Sequence, residues 1–341
     1  MRAGDERNIC ARRFKLDRAR QGLRQTRPFE GRLRRIQRSA GGSLNFLAAA
    51  ALSALGLIVT PLPRRFELWL GPKLGWLLLR VAPKRRRIAY DNIRRCFPEY
   101  GPGECDTLLR DNFEHYGMLA LEMLHMFSPI HGHYRRYAES LTVIEGLEHW
   151  RAAHAKGKGT ILVTGHFANW ETSGIIGAHG LPMLMATRQL KPQWVHDKII
   201  ASRHSLDSQT VFGKRILPTM IKQLKEGKMV GLMLDQYAPP PMGVPATFFG
   251  VTVATQAVVG LLVQRTGAAI VPACQRREKD GKIHLVFEPE IILTPEELEH
   301  PSESATALAA RIEEFIRATP AQWLWVHRRF KNVVWPEPVA G

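Results

Sequence analysis

Apolar and polar positions change rhythm twice along the chain. Residues 43–62, SLNFLAAAALSALGLIVTPL, hold no charged side chain over twenty positions. That length suits one membrane-spanning helix, and a buried core helix fits the same alanine-rich run. Residues 68–81, LWLGPKLGWLLLRV, are apolar around Trp69 and Trp76, and the basic runs KRRR (84–87) and IRR (93–95) follow. Rings and cations beside apolar segments suit a membrane interface, and they suit equally an amphipathic helix under a solvated basic face. From 105 to 127 apolar residues recur at spacings of three and four, which predicts a long helix.

Beyond that helix the period alternates. Strands are expected at 160–165, 182–187, 229–235, 268–275 and 283–291, and helices at 146–156, 171–178, 193–204, 216–226, 254–266 and 295–318. Strands alternating with helices predict an α/β sheet with helices on its faces. The one proline-rich stretch, APPPMGVP (238–245), breaks regular structure after a strand, where open α/β sheets place ligands.

Composition is that of a globular chain: 341 residues, 45% apolar and 23% charged. Charge changes the picture, because 48 Lys+Arg against 31 Asp+Glu give +17. Nine of those net charges lie in the first forty residues, ahead of the apolar run. The excess favours a polyanionic partner: nucleic acid, an anionic membrane or an acidic protein. A cleaved signal peptide fits less well, since the basic region is too long and no A-x-A site precedes a mature domain. The four cysteines form no C-x-x-C pair and no zinc-like spacing with histidines, which suits a reducing compartment. Helix-turn-helix, zinc-finger, P-loop, G-x-G-x-x-G, H-E-x-x-H and G-x-S-x-G signatures are absent.

Candidate chemistry gathers in the predicted loops. In GTILVTGHFANWETSG (159–174) a β-branched run ends at Gly165 and His166, and Glu171 follows five residues later. Five residues of α-helix rotate about 500°, so the two side chains meet only if His166 sits in a turn and Glu171 starts a helix capped near Asn169. A carboxylate there would fix the imidazole tautomer for a general base; a capped helix start accounts for the same residues. Arg188 and Arg203 could clamp a phosphate or a carrier arm. Asp235 ends a predicted strand and could orient Arg203 or a substrate hydroxyl, while Phe248, Phe249 and Gly250 offer an apolar wall with a close backbone approach. The segment PAQWLWVHRRFKN (320–332) interleaves Trp323, Trp325 and Phe330 with cations, a pattern of nucleic-acid or phospholipid surfaces.

These residues add up to a resemblance. GHFANWE looks like the H-x-x-x-x-E form of the histidine/acid motif of membrane acyltransferases, specifically the lipid A biosynthesis acyltransferase family of late lauroyl and myristoyl transferases. NIRRCFPE (92–99), VIEGLEHW (143–150), LMLDQ (232–236), FFGVTVAT (248–255) and QWLWVHRRFK (322–331) follow in that family's order, from about residue 44 to 335. The resemblance implies an α/β, glycerolipid-acyltransferase-like sheet with flanking helices, preceded by an N-terminal membrane-anchoring helical region. The corresponding division is a basic extension (1–42), an anchor helix (43–62), an interfacial helical region (63–130) and a catalytic domain (131–341).

It also implies transfer of a fatty acyl chain from acyl carrier protein to a hydroxyl of a lipid A precursor, at the cytoplasmic face of the bacterial inner membrane. Acyl carrier protein, the precursor and inner-membrane lipids are the implied partners, without nucleic acid, metal or bound cofactor. His166 would be the general base and Glu171 its partner, with Arg203 and Asp235 linked to activity. Arg203 or backbone N–H groups near Gly165 would face the oxyanion. Arg188, Asn169, Gln236 and Gly250 complete the substrate-contacting set. At Arg188 the chain departs from the family: Thr187 precedes it where a tyrosine is usual, and Lys191-Pro192 replaces Asn-Pro. An acyltransferase acting on another glycolipid, with acyl-CoA as donor, and a non-catalytic basic membrane-surface protein are the competing readings.

Overall fold

The strand predicted at 160–165 forms the middle of the structure. The computed structural model describes residues 44–335, so the predicted basic extension lies outside the described residues. β1 (Thr142–Glu145), β2 (Thr160–Thr164), β3 (Met183–Ala186), β4 (Gln209–Val211), β5 (Met229–Met233), β8 (Ala269–Arg277) and β9 (Ile283–Phe287) build a seven-stranded sheet in the order β1-β9-β8-β2-β5-β3-β4. All pairings are parallel except β8 with β9. β6 (Gly243–Phe248) and β7 (Val251–Gln256) form a separate antiparallel hairpin.

β2 is buried along its whole length because both faces are covered, as its unbroken TILVT run requires. Its period of two sorts residues between faces. Ile161 and Val163 join a core with Phe113, Leu262 and Ile312, while Leu162 joins Trp150, Met183 and Val271.

The predicted helices appear as α6 (Leu147–His154), α7 (Gln193–Ser205), α8 (Ile216–Lys225) and α9 (Val258–Thr266), with 295–318 divided into α10 (Pro295–Glu299) and α11 (Pro301–Ala318). Pro301, lacking an N–H, marks the new start. Residues 254–256, expected in a helix, belong instead to β7, and β1, β4 and the hairpin were not anticipated: TVIE and QTV are short and mix polar with apolar positions, and Pro245 interrupts the first hairpin strand. The hairpin turns at Phe249-Gly250 with φ of 48° and 71°, a pair of left-handed residues that matches the strand twist.

Ahead of the sheet, helical backbone runs over 44–59 (α1), followed by α2 (Arg64–Val81), α3 (Pro83–Cys96), α4 (Pro102–Leu124) and α5 (His133–Leu141). Of the single anchor helix expected over 43–62, the described residues hold helix over 44–59, which ends before Thr60-Pro61. Among the described residues no helix is long and apolar enough to cross a membrane.

α2 and α4 cross at glycines. A Cβ on Gly75 would meet the Phe113 carbonyl oxygen at 2.2 Å, and one on Gly117 the Gly71 carbonyl oxygen at 2.0 Å, so the crossing admits only hydrogen there.

Candidate active site

Sheet register alone brings the two principal groups together. β2 and β5 are adjacent and parallel, and Thr164 pairs with Met233. Continuing that pairing two residues past both strand ends sets His166 opposite Asp235. Gly165 makes the approach possible, because a Cβ there would meet the Phe167 ring at 2.6 Å and Asp235 Cγ at 3.2 Å. The location, beyond the carboxyl ends of adjacent parallel strands, is the usual crevice of an open α/β sheet.

His166 Nδ1 lies 2.8 Å from Asp235 Oδ1, and the His166 main-chain N–H donates to Asp235 Oδ2 at 2.8 Å. Trp323 Nε1 donates to the same Oδ2, also at 2.8 Å. Burial would raise the Asp235 carboxyl, but the His166 charge and these hydrogen bonds outweigh it and hold the value down to about 2. Ionised Asp235 only accepts, so Nδ1 carries the ring proton and Nε2 of the neutral imidazole is the basic lone pair. Burial works against the imidazolium, yet the Asp235 carboxylate, with a smaller contribution from Glu171, raises the His166 value above its ordinary one. The ring retains 16% exposure, with Trp170 edge-on at 5.0 Å and Gln236 Nε2 3.2 Å from its Nε2.

Glu171 does not contact the imidazole. Both its oxygens accept from Arg203, at 2.9 Å from Nε and 2.8 Å from Nη2. Residues Trp170–His179 form a 3₁₀-helix rather than the expected α-helix. Trp170 stands at the imidazole, and Glu171, the next residue, points about 120° around the helix axis from it. Gly174 and Gly177 permit the tight winding against Leu206 and Asp207. The fork–fork pair is buried on both sides, and Arg203 is raised because Glu171 outweighs its burial. Asp235, expected to orient Arg203 or a hydroxyl, orients His166 instead.

The cation-and-tryptophan segment at 320–332 is largely a wall of this site. Trp323, Trp325 and Arg329 are fully buried and Phe330 is buried, so these side chains form no nucleic-acid or lipid surface. Phe167 bridges Trp323, and Ala168 N–H donates to the Gln322 carbonyl, tying the His166 turn to the C-terminal segment. Among the described residues Arg329 has no carboxylate partner: it donates to the carbonyls of Gln236 and Ala254 and to Thr255 Oγ1, and burial lowers it to about 10.

The remaining candidates separate. Gln236 is at the ring. Asn169, three residues after His166, is fully buried; its carbonyl accepts from Thr172 and Gln275, while neither side-chain amide atom has a partner among the described residues, so it is not the expected side-chain cap. Arg188 is exposed after β3 and makes no ion pair among the described residues. Gly250 is the exposed second residue of the hairpin turn, and its left-handed φ accounts for it. Near Gly165, the N–H groups of His166, Phe167 and Ala168 already donate to Asp235, Gly165 and Gln322, so none faces an oxyanion. Arg203 Nη1 is buried without a partner. No cluster of three His, Cys, Asp or Glu side chains is placed to hold a metal among the described residues.

A histidine–carboxylate pair with an accessible Nε2 can take a proton from a hydroxyl that attacks an acyl carbonyl. Comparison with known proteins points to the same chemistry. The family described as bacterial lipid A biosynthesis acyltransferase matches residues 43–332. The chain is 31% identical over 290 residues to a lipid A biosynthesis lauroyltransferase of Escherichia coli (strain K12), covering 81% of this chain and 88% of that protein. It is 28% identical over 279 residues to a lipid A biosynthesis palmitoleoyltransferase of the same organism, covering 80% and 87%. A phosphatidylinositol mannoside acyltransferase of Mycobacterium tuberculosis (strain ATCC 25618 / H37Rv) is 29% identical over 280 residues, 73% of this chain and 84% of that protein. With a family match across nearly all described residues and the histidine–carboxylate pair such a transfer needs, this chain belongs to the bacterial lipid A biosynthesis acyltransferases.

Proposed function

We propose that this acyltransferase moves a fatty acyl chain from acyl carrier protein to a hydroxyl of a lipid A precursor, at the cytoplasmic face of the bacterial inner membrane. The observation that carries the reading is the His166–Asp235 pair, with Nδ1–H committed to the carboxylate, the ring 16% exposed and Nε2 beside the Gln236 amide. His166 Nε2 takes the acceptor hydroxyl proton as the oxygen attacks the thioester carbonyl. The tetrahedral intermediate collapses with cleavage of the C–S bond, and the imidazolium returns that proton to the departing thiolate, giving ester and free thiol. Asp235 stabilises the imidazolium between the two transfers. Gln236, whose amide lies at Nε2, and the unpartnered Arg203 Nη1 are the side-chain donors for the oxyanion. Glu171 acts through Arg203, as a positioning residue.

The test is acyl transfer from acyl carrier protein to a tetra- or penta-acylated precursor, together with mass spectrometry of lipid A from cells with and without the gene. A positioned base supplies about 10²- to 10⁴-fold, so His166→Ala falls by at least that much; near-normal transfer by this variant overturns the assignment. The match to phosphatidylinositol mannoside acyltransferases supports a second reading, another glycolipid acceptor with acyl-CoA as donor. Product formed from those substrates and none from the lipid A precursor would establish it.

A further inference from the structure

α2 buries one side and leaves the other bare. Glu67, Gly71 and Gly75 are covered, while Phe66, Trp69, Trp76, Leu77 and Val81 are 39% to 65% exposed. At 100° per residue the exposed positions fall within an arc of about 140°, on the side away from the glycine crossing. Lys73 lies over the Trp69 ring at 3.9 Å and Arg80 over Trp76 at 3.1 Å, so each cation is carried on the apolar stripe.

Near the C-terminal end of α2, Leu79 lines a groove of ≈ 790 Å³ shared with α3 and α4. Leu79, Tyr90 and Leu109 give it apolar walls, and Arg86, Arg87 and Arg110, all exposed, line it alongside one carboxylate, Asp106. Three guanidinium groups against that carboxylate leave the groove cationic. Arg87 is 3.9 Å from Asp91, while Arg86 has no acidic partner among the described residues.

We propose that this groove binds an anionic phospholipid of the bilayer, with its phosphate on the arginines and the base of its acyl chains against Leu79 and Tyr90. The α2 stripe rests at the headgroup level and sets the depth of immersion. An acidic protein would satisfy the arginines but leave two exposed tryptophans and a phenylalanine without a role; a lipid surface uses both sets. Indole and guanidinium pairs of this kind suit a headgroup zone, where one end of each side chain is apolar and the other wet. The inference rests on the membrane placement proposed above and is independent of the transfer chemistry.

Flotation of the full chain, carrying His166→Ala so that no turnover intervenes, tests it with phosphatidylcholine vesicles with and without phosphatidylglycerol. Each cation near an anionic surface is worth about fivefold in partitioning, so Arg86→Gln/Arg87→Gln/Arg110→Gln lowers binding to anionic vesicles on the order of 10²-fold and leaves neutral vesicles unaffected. Trp69→Ala/Trp76→Ala lowers binding to both. Unchanged circular dichroism and melting temperature show that each variant is folded. Wild-type partitioning by both variants overturns the proposal. So does an arginine variant that floats normally but, with His166 restored, raises the KM for acyl carrier protein in detergent, since the groove then holds an acidic protein. Loss of acyl transfer in the parent protein with these flotation effects intact counts against the proposed function alone.

Discussion

Trp323 donates its indole N–H to the Asp235 oxygen that also receives the His166 main-chain N–H. The carboxylate is thereby fixed from two directions, and the imidazole faces the one oxygen that remains. Trp323→Phe keeps the ring volume close and removes that donor. Equilibrium urea unfolding should show a loss of about 1–3 kcal/mol, the usual cost of an unmet bond to a buried charge, and acyl transfer should fall with it.

The pH dependence follows from the raised His166 value. Only the neutral ring accepts a proton, so kcat/KM rises with pH through that value, and the acid limb lies above the ordinary histidine 6.5. Asp235→Asn removes the principal raising charge. The limb then moves to lower pH while the plateau drops by about 10²- to 10⁴-fold. A pH–rate profile of both proteins reads the two effects separately.

Stability also falls at the acid end, at lower pH than activity. Asp235 is held down to about 2 from an ordinary 3.8, so its contribution is present above the ordinary value and is lost as pH falls toward 2. The difference amounts to about 2 kcal/mol at 1.36 kcal/mol per unit. His166→Ala takes away the leading partner, and acid unfolding followed by circular dichroism should begin at higher pH than in the wild type.

Glu171 is the position where geometry and motif part. Glu171→Gln leaves Arg203 buried without its countercharge, a defect of about 3–5 kcal/mol. Replacing both, as Glu171→Gln/Arg203→Met, should restore part of the melting temperature. Because Glu171 does not touch the ring, the acid limb of Glu171→Gln should move far less than that of Asp235→Asn. A limb displaced equally in both variants would return Glu171 to the role of direct partner.

Gly165→Ala offers a steric check. The added carbon meets Phe167 and Asp235 together, so the turn shifts at about 1–3 kcal/mol and the histidine leaves its carboxylate. Transfer should drop more steeply than stability, measured on the same preparation.

Five of the seven strands of the main sheet and most helices were legible because runs such as TILVT and IHLVF are continuous in β-branched and apolar residues. The short β1 and β4 were not, and Pro245 hid the hairpin. His166 was legible as a site residue, whereas its partner was misassigned by reading along the chain instead of across the sheet. TILVTGH and MVGLMLDQ place His166 and Asp235 at equal offsets from paired strand starts, Thr160 and Met229. That signal becomes visible only once β2 and β5 are known to be neighbours. The Arg203 that takes Glu171 comes from α7, thirty-two residues on, a contact no local pattern records. Trp323 and Trp325 looked like surface aromatics because their alternation with cations is shared by ligand-binding faces and by a wall packed on one side.

The C-terminal wall also orders events during synthesis. Nearly ninety residues separate Asp235 from Trp323, so the ribosome completes β2, β5 and their loops well before the indole that braces the carboxylate exists. A nascent chain halted ahead of Trp323 carries both members of the proton-transfer pair and lacks their brace. Bracing of the carboxylate therefore waits for the segment that carries Trp323.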